Sequence, residues 1–513
     1  MLTSVQTCET MHRKRIRKFD GLFNHAAPMI QRTPTQLLRQ QAAAGRFDGI
    51  RPSAQVSFEE ITGADLRLGH GCELAPQTLA KCRAAILAGL DVMVSRFERR
   101  RGYPFVDMKF STATGEDFPE PVSDAADFKS ATAVFGWIQG RGIEALAGHI
   151  PFLKQEFSLS ERAERMLTVV ADRMAEIGRR HHGRFHFLLT PEGTPFRMDA
   201  DGKRVRIDLE STPSGFSDLF VGKGLAVAGL RHGQREWIGI GLDAFSRAVE
   251  SIENGTFESD QISFDPRNPV APVPGRFTHG PRMIAIGGLS SLVGLLPEAE
   301  TWCAQGLRMI RHVLDRHVIG EDSGGLRRFD FVEFVDRDGA PWIQDGRVVC
   351  DPGHAMEFCG LTARFLLRAS LRGIVGEDFE SLLAECRLRL PWVFLQAFEN
   401  GYKPDPGGVV KTFDLTNRRP LNDDMPWWPL PEAIRAAWLL MRLAPDHPAR
   451  LRLCQAAEAC ADAFFTGYRT AIPGVFLQTR DRHGAPSGSI PATPDADPCY
   501  HTGLSLIDLW GFR

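Results

Sequence analysis

No stretch of this 513-residue chain approaches the ~18 consecutive apolar residues that mark a membrane-spanning helix. Its ten cysteines are scattered and include no C-x-x-C pair. That argues against a zinc knuckle or a disulfide framework and fits reduced thiols in a cytoplasmic setting. Neither sign of charge is in excess: the net is −2, so neither nucleic acid nor a membrane is expected as a partner. A P-loop is also missing, so nothing points to nucleotide binding. The first residues lack the apolar core of a secretory signal. They carry instead the basic run His12-Arg13-Lys14-Arg15-Ile16-Arg17-Lys18, which reads as a solvated tail. Residues 1–75 have weak periodicity and are expected to form a partly disordered extension.

From residue 76 onward helical periodicity dominates. Twelve helices are expected, near 76–99, 129–150, 159–180, 216–232, 235–253, 281–296, 298–318, 353–371, 376–399, 428–444, 447–466 and 500–511. The segment after Pro429 illustrates the pattern: Leu430, Ile434, Trp438 and Met441 form a stripe that Glu432, Arg435 and Arg442 avoid. No linker interrupts the series, so residues 76–513 read as one large domain. The connectors alternate. Those before even-numbered helices are long and rich in Gly, Pro and Asp, and those after them are brief. In an up-down array the long ones gather at one end, where a site can be built on a rigid base. Within them, Phe185–Leu189 with Pro191-Glu192-Gly193 and the run to Met198 reads as a β-hairpin, as does Val475–Gln478 with Asp481–Gly484. The hairpin-plus-helix-pair unit recurs only loosely.

The residues that carry chemistry fall at the starts of even-numbered helices. Asp351-Pro352-Gly353-His354-Ala355-Met356-Glu357 opens the eighth. Pro-Gly forces a turn and sets His354 in the first helical turn, with Glu357 three residues on and on the same face. A carboxylate favours the protonated imidazole, whereas the positive helix N-terminus favours the neutral one. A histidine between these influences suits acid or base work near neutrality, although a capping histidine has the same local sequence. Cys499-Tyr500-His501 opens the twelfth helix, so both histidines should lie at one end of the array. Met425-Pro426-Trp427-Trp428-Pro429 precedes the tenth, and its indoles either stack on sugar rings or plug the mouth. Trp137 and Arg141 share a face of the second helix, where an inward arginine needs either a carboxylate or substrate oxygens.

In order, WIQGR at 137–141, SDLF at 217–220, PGHAMEF at 352–358, WWPLPEA at 427–433 and CYH at 499–501 resemble the N-acylglucosamine 2-epimerase superfamily. The resemblance runs from residue 76 to the C-terminus. It implies a mainly α fold, an (α/α)6 barrel with short β-hairpins in the long loops at one end. It also implies 2-epimerisation or aldose–ketose isomerisation of a ring-opened reducing sugar. His354 and His501 then match the catalytic pair, Glu357 the carboxylate supporting the first, and Arg141 the arginine near the substrate carbonyl. Trp427 and Trp428 match the aromatic pair beside the sugar. Trp137, Arg282, Glu432 and Tyr500 complete the expected substrate-binding set. No metal or redox cofactor is implied, the partner is a small-molecule sugar, and a homodimer is left open. Disaccharide epimerases of this family place a third histidine at the start of the sixth helix. Here His279 falls slightly early, and Arg282 or Ile284 takes the inward slot. Two other functions compete. A glycoside hydrolase would use two of Asp423, Asp424, Asp495 and Asp497, about 5–9.5 Å apart. A non-catalytic sugar-binding barrel would bind without turnover.

Overall fold

Two kinds of helix alternate along the chain, and their burial tells them apart. The helix Phe157–Arg180 buries one stripe, Ala163, Met166, Leu167, Val170, Ala171 and Met174, at three- and four-residue spacing. In contrast, Phe216–His232 is buried without a break from Ser217 to Gly229. The first pattern suits an outer helix with one wet face, the second an inner helix enclosed on all sides.

The structure is a computed structural model that describes residues 74–119, 128–199, 203–261, 273–489 and 492–511. All of these belong to one compact unit. Twelve helical elements occur among them: α1 (Pro76–Arg99), α2 (Gly136–His149), α3 (Phe157–Arg180), α4 (Phe216–His232), α5 (Arg235–Glu253), α6 (Gly280–Leu295), α7 (Glu300–His317), α8 (Pro352–Leu371), α9 (Glu377–Gly401), α10 (Pro429–Leu443), α11 (Arg450–Gly467) and α12, a composite over 500–510. Contacts run α2–α4–α6–α8–α10–α12 and return to α2, which closes an inner ring of six. Outer helices pack on it, with α1 against α3 and α11, and α9 against α7 and α11. This is the (α/α)6 barrel.

Ten of the twelve expected helices match to within a few residues. The second begins later than expected, because residues ahead of Gly136 form turns and the short strand Val134–Phe135. The last is not one regular helix but a π-turn over Tyr500–Leu504, a single α-turn and a 3-10 turn. The expected extension 1–75 lies outside the described residues except for Leu74 and Ala75, whose backbone N–H donates to Glu458 at 2.7 Å. The eight described cysteines are buried. No described helix is long and apolar enough to cross a membrane.

The long connectors turn back at both expected places, and they also pair with one another, which local patterning does not show. Leu188–Leu189 pairs with Val134–Phe135, and Thr479–Arg480 with Met425–Pro426. Phe277–Thr278 pairs with Phe334–Val335, and Arg347–Cys350 with Thr412–Asp414. In each case the strand just ahead of an inner helix is stitched to the following long connector. The strands therefore form a belt around the mouth. Within it one turn recurs in three connectors. Leu189 bridges Pro195, Val335 bridges Pro341 and Arg480 bridges Pro486. The glycines Gly193, Gly339 and Gly484 sit at φ 84°, 87° and 85°, where a side chain would be strained. Only LTPEGTP, VDRDGAP and RDRHGAP are shared, and the rest of each connector differs.

Inner helices approach at backbone distance where glycine permits it. A Cβ on Gly140 of α2 would lie 2.4 Å from the Phe220 carbonyl carbon of α4. Gly140→Ala is expected to lower stability by about 1–3 kcal/mol or more, because two main chains must part. Gly239, on the exposed side of α5, meets nothing within 4 Å. Gly239→Ala is expected to raise stability by up to ~1 kcal/mol through helix propensity. Thermal unfolding of both variants checks the contrast.

Candidate active site

The N-terminal ends of the inner helices surround a cavity of about 850 Å³. At α8, Asp351 is the N-cap: its Oδ1 accepts from the backbone N–H of Gly353 (3.0 Å) and His354 (3.2 Å). Its Oδ2 takes Lys411 Nζ at 2.6 Å. The cap fixes His354 at the cavity wall. His354 Nδ1 then donates to Glu333, 3.2 and 3.3 Å from its two oxygens. Glu333 also accepts from His279 Nε2 at 3.1 Å, so one carboxylate bridges two imidazoles whose rings are 5.7 Å apart.

The partner of His354 corrects an expectation. Glu357 shares its helix face, but the hydrogen bonds of His354 go to Glu333, and Asp351 adds a contact at 3.4 Å. Glu357 sits instead with Glu432 and His501, their donor atoms all within 4.8 Å of one another. His279 corrects another. It occupies the N-cap position of α6 rather than its first turn, and this brings its ring to the site. Arg282, one turn later, also lines the cavity and donates to the Ile252 carbonyl at 3.3 Å.

His501 is held by a second carboxylate. Asp497 accepts from the N–H groups of Tyr500, His501 and Thr502 at 3.0, 3.2 and 2.8 Å and so organises the π-turn. The His501 Nδ1 then donates to Glu432 Oε1 at 3.0 Å. The other Glu432 oxygen binds Arg435. Glu432 thus positions a histidine rather than facing the cavity, which differs from its expected substrate contact. Tyr500 differs likewise. Its hydroxyl binds Lys223 beneath the cavity floor, and Lys223 pairs with Glu144 at 2.9 Å.

Between the two histidines lies an indole. The Trp428 ring is 5.3 Å from that of His354 and 5.6 Å from that of His501. Gly353 allows this approach, since a Cβ there would meet Trp428 at 2.7 Å. Trp427 lines the same wall, edge-on to His501 at 6.3 Å. Trp137 lines the opposite side but is partly committed to structure, because its Nε1 donates to Asp260 at 3.2 Å. Arg141 faces the cavity from α2, its guanidinium 4.4 Å from the Phe220 ring and 5.3 Å from that of Tyr500. It forms no ion pair among the described residues, and its Nε is buried without a partner.

Environment sets the charges. Burial alone would lower the pKa of His354, but Asp351 and Glu333 outweigh it and raise the imidazole to about 9. Burial opposes ionisation of Glu333, yet the two imidazoles hold it well below the usual carboxylate range. Burial, then the neighbouring Glu432, pushes Glu357 up. Glu432 is held down against burial by Arg435 and His501. Burial lowers Arg141, and Tyr500, Glu357, Asp497 and Glu144 offset this only in part. Two donor sets have metal-like spacing, His279/Glu333/His354 and Glu357/Glu432/His501. Each contains its own imidazole–carboxylate hydrogen bond. The loop carboxylates considered for hydrolysis are engaged elsewhere: Asp495 with Lys109 at 3.2 Å, Asp424 with Ser489 at 2.5 Å, and Asp497 with backbone N–H groups. Asp423 lies 4.0 Å from Arg482.

Sequence reading missed Glu333, Lys411 and the role of His279. The signal for Glu333 was an acid inside the apolar run FDFVEFVD.

Residues 294–504 match the N-acylglucosamine 2-epimerase (GlcNAc 2-epimerase) family. That span contains His354, Trp428, Glu432 and His501, and leaves out Trp137 and Arg141. Among solved structures, a sugar epimerase from a ruminal bacterium is similar at TM-score 0.57 and 13% identity, covering 85% of this chain and 99% of that one. The cellobiose 2-epimerase of Bacillus thermoamylovorans gives 0.56 at 12%, covering 85% and 99%. A D-mannose isomerase gives 0.53 at 14%, covering 82% and 96%. Identities this low establish a shared fold. No curated protein matches in sequence.

His354 should carry a proton at pH 7 and lose it near pH 9. Because that value lies above the ordinary histidine value of 6.5, its pairing stabilises the fold fully below about pH 6.5 and is lost as pH rises through 9. Glu333→Gln removes one supporting charge and should move the imidazole titration downward. NMR of the ring nitrogens reads both midpoints, and an unchanged midpoint in the variant would refute the assignment.

Proposed function

We propose that this protein is a carbohydrate epimerase or aldose–ketose isomerase that moves a proton at C2 of a ring-opened reducing sugar between two histidines. The observation that carries this reading is the shared indole: His354 and His501 both lean on Trp428 at the wall of one cavity, each fixed through Nδ1 by its own carboxylate. A Nδ1–H held in this way leaves Nε2 of each ring as the working atom.

The charge pattern divides the labour. His354 rests as imidazolium and is the acid, which leaves His501 as the base in that direction. His501 Nε2 takes the proton from C2. The electrons of the broken C–H bond form the C1–C2 double bond, and negative charge gathers on the O1 oxygen. Arg141, an arginine with no carboxylate of its own, is suited to hold that charge. The imidazolium of His354 then delivers a proton. Delivery to the opposite face of C2 restores the C1 carbonyl and inverts that centre, whereas delivery to C1, with the O2 proton passing to O1, leaves the carbonyl at C2 and gives the ketose. In the reverse direction the two histidines exchange roles. Trp428 supplies a flat apolar face along which the open carbon chain can lie between them. Glu333 and Glu432 are positioning residues, because each acts through its histidine.

The match of residues 294–504 to an epimerase family and the likeness of the fold to sugar epimerases and a mannose isomerase agree with this chemistry. The engaged state of Asp424, Asp495 and Asp497 favours it over hydrolysis between two free carboxylates.

His354→Ala and His501→Ala should each reduce turnover by about 10²–10⁴-fold while leaving far-UV circular dichroism unchanged. With a substrate sugar in D₂O, NMR should show deuterium entering at C2 in the wild type and not in either variant. A wild-type rate in either variant would sink the two-histidine reading. The alkaline limb of kcat/KM should follow the acid His354, with activity falling as pH rises through about 9.

A further inference from the structure

One wall of the cavity has a composition that proton transfer at C2 does not use. It is built from the segment ahead of α6, the first turn of α6, the last turns of α7 and the connector near Glu333. Arg276, Arg282, His312, Arg316 and Arg337 line it. Arg276 lies over the Phe334 ring at 4.3 Å. Arg282 donates to the Ile252 carbonyl at 3.3 Å, and Arg316 to the Arg337 carbonyl at 3.1 Å. Backbone carbonyls and a ring face hold these guanidiniums in place without neutralising them. None forms an ion pair among the described residues.

The cavity's carboxylates do not answer these charges. Glu333 is held by His279 and His354, Asp495 by Lys109 and Asp497 by backbone N–H groups. Glu357 belongs to the His501 set. Glu258 also lines the cavity but is exposed and pairs with none of the arginines. Glu253, which attracts Arg282, is already bound by Arg308 at 2.9 Å. Within the wall the groups repel one another. Burial lowers Arg282 and the charge of Arg316 lowers it further, while burial with both arginines pushes His312 down to about 4. His312 is then a neutral donor at pH 7. Half-buried like charges without partners destabilise the free protein, and such arrangements are most often found where a ligand brings the opposite charge. Arginine's planar fork suits oxyanions in particular.

We infer that this wall binds an oxyanion carried by the sugar, a phosphate, sulfonate or carboxylate at the end remote from C1 and C2. Resting on the proton-transfer reading, the placement follows because C1 and C2 are needed at Trp428 and the histidines. Arg282 of the wall lies one helical turn past His279, whose ring is 5.7 Å from that of His354. A monosaccharide held at the indole therefore has only its far end free to meet the arginines. Neutral sugars leave them unanswered.

The test uses the full chain with D-glucose, D-mannose, D-glucose 6-phosphate, D-mannose 6-phosphate, 6-deoxy-6-sulfo-D-glucose and D-glucuronate. Binding is read by calorimetry, and C2 exchange in D₂O by NMR. An acidic sugar should bind and exchange with kcat/KM at least about tenfold above its neutral parent, the scale set by one charge-assisted contact. Which acidic sugar leads identifies the anion. Arg282→Gln and Arg316→Gln should each raise KM for that sugar by about tenfold with a smaller change in kcat, and so narrow its advantage over the neutral parent. Should neutral sugars exchange as well as acidic ones, the inference falls and the proton-transfer reading stands. Should an acidic sugar bind in an Arg282-dependent way without exchange at C2, the wall is confirmed and the proton-transfer reading falls. No binding of any acidic sugar overturns the inference.

Discussion

A charge taken out of water into the axis of a helical barrel has to meet its opposite, and this requirement organises the molecule. Below the cavity, Lys223 pairs with Glu144 at 2.9 Å, Arg364 with Asp508 at 3.0 Å, and Arg435 with Glu432. Breaking such a pair by removing one partner leaves a buried charge uncompensated, which is far worse than never having had the pair. Lys223–Glu144 ties α4 to α2 and Arg364–Asp508 ties α8 to α12, which fixes how those helices are turned toward each other, whereas Arg435 and Glu432 pair within α10. His501 is aimed by that lattice through Glu432. The cavity wall is where the rule relaxes. Arg141 faces in with no carboxylate paired to it among the described residues.

The same requirement explains what was legible in the sequence. Helix positions were, because apolar periodicity is local and each inner helix is announced by a Gly, Pro and Asp-rich approach. The Pro352-Gly353 turn that sets His354 in the first helical turn was legible, and the Trp427-Trp428 pair stood out against its surroundings. Partnerships across the fold were not legible. Local spacing assigns Glu357 to His354, since three residues separate them on one helix. The barrel instead delivers Glu333 from a connector over twenty residues upstream and turns Glu357 toward His501. Tyr500 adjoins His501 in the chain, yet the π-turn points its hydroxyl down to Lys223. One residue of shift in the start of α6 was enough to hide His279.

The belt of strands shows how long connectors serve a rigid site. A loop closed only on itself moves as a unit. Here the strand ahead of α2, α6, α8 or α10 is tied to the next long connector, so each inner helix start is braced by its neighbour. The recurrent glycine turn at Gly193, Gly339 and Gly484 lets each connector fold back after that pairing. Seven residues within connectors of unequal length are too few to register as a repeat until the backbone aligns them.

The composite α12 closes the inner ring with the least regular of its elements. This short segment alone bridges α10 and α2, and it contributes His501. Its π-turn is buried throughout and donates three backbone N–H groups to one aspartate, Asp497. Loss of that one carboxylate would therefore loosen the segment that closes the ring and the seat of the His501 ring together, while the other inner-helix contacts remain.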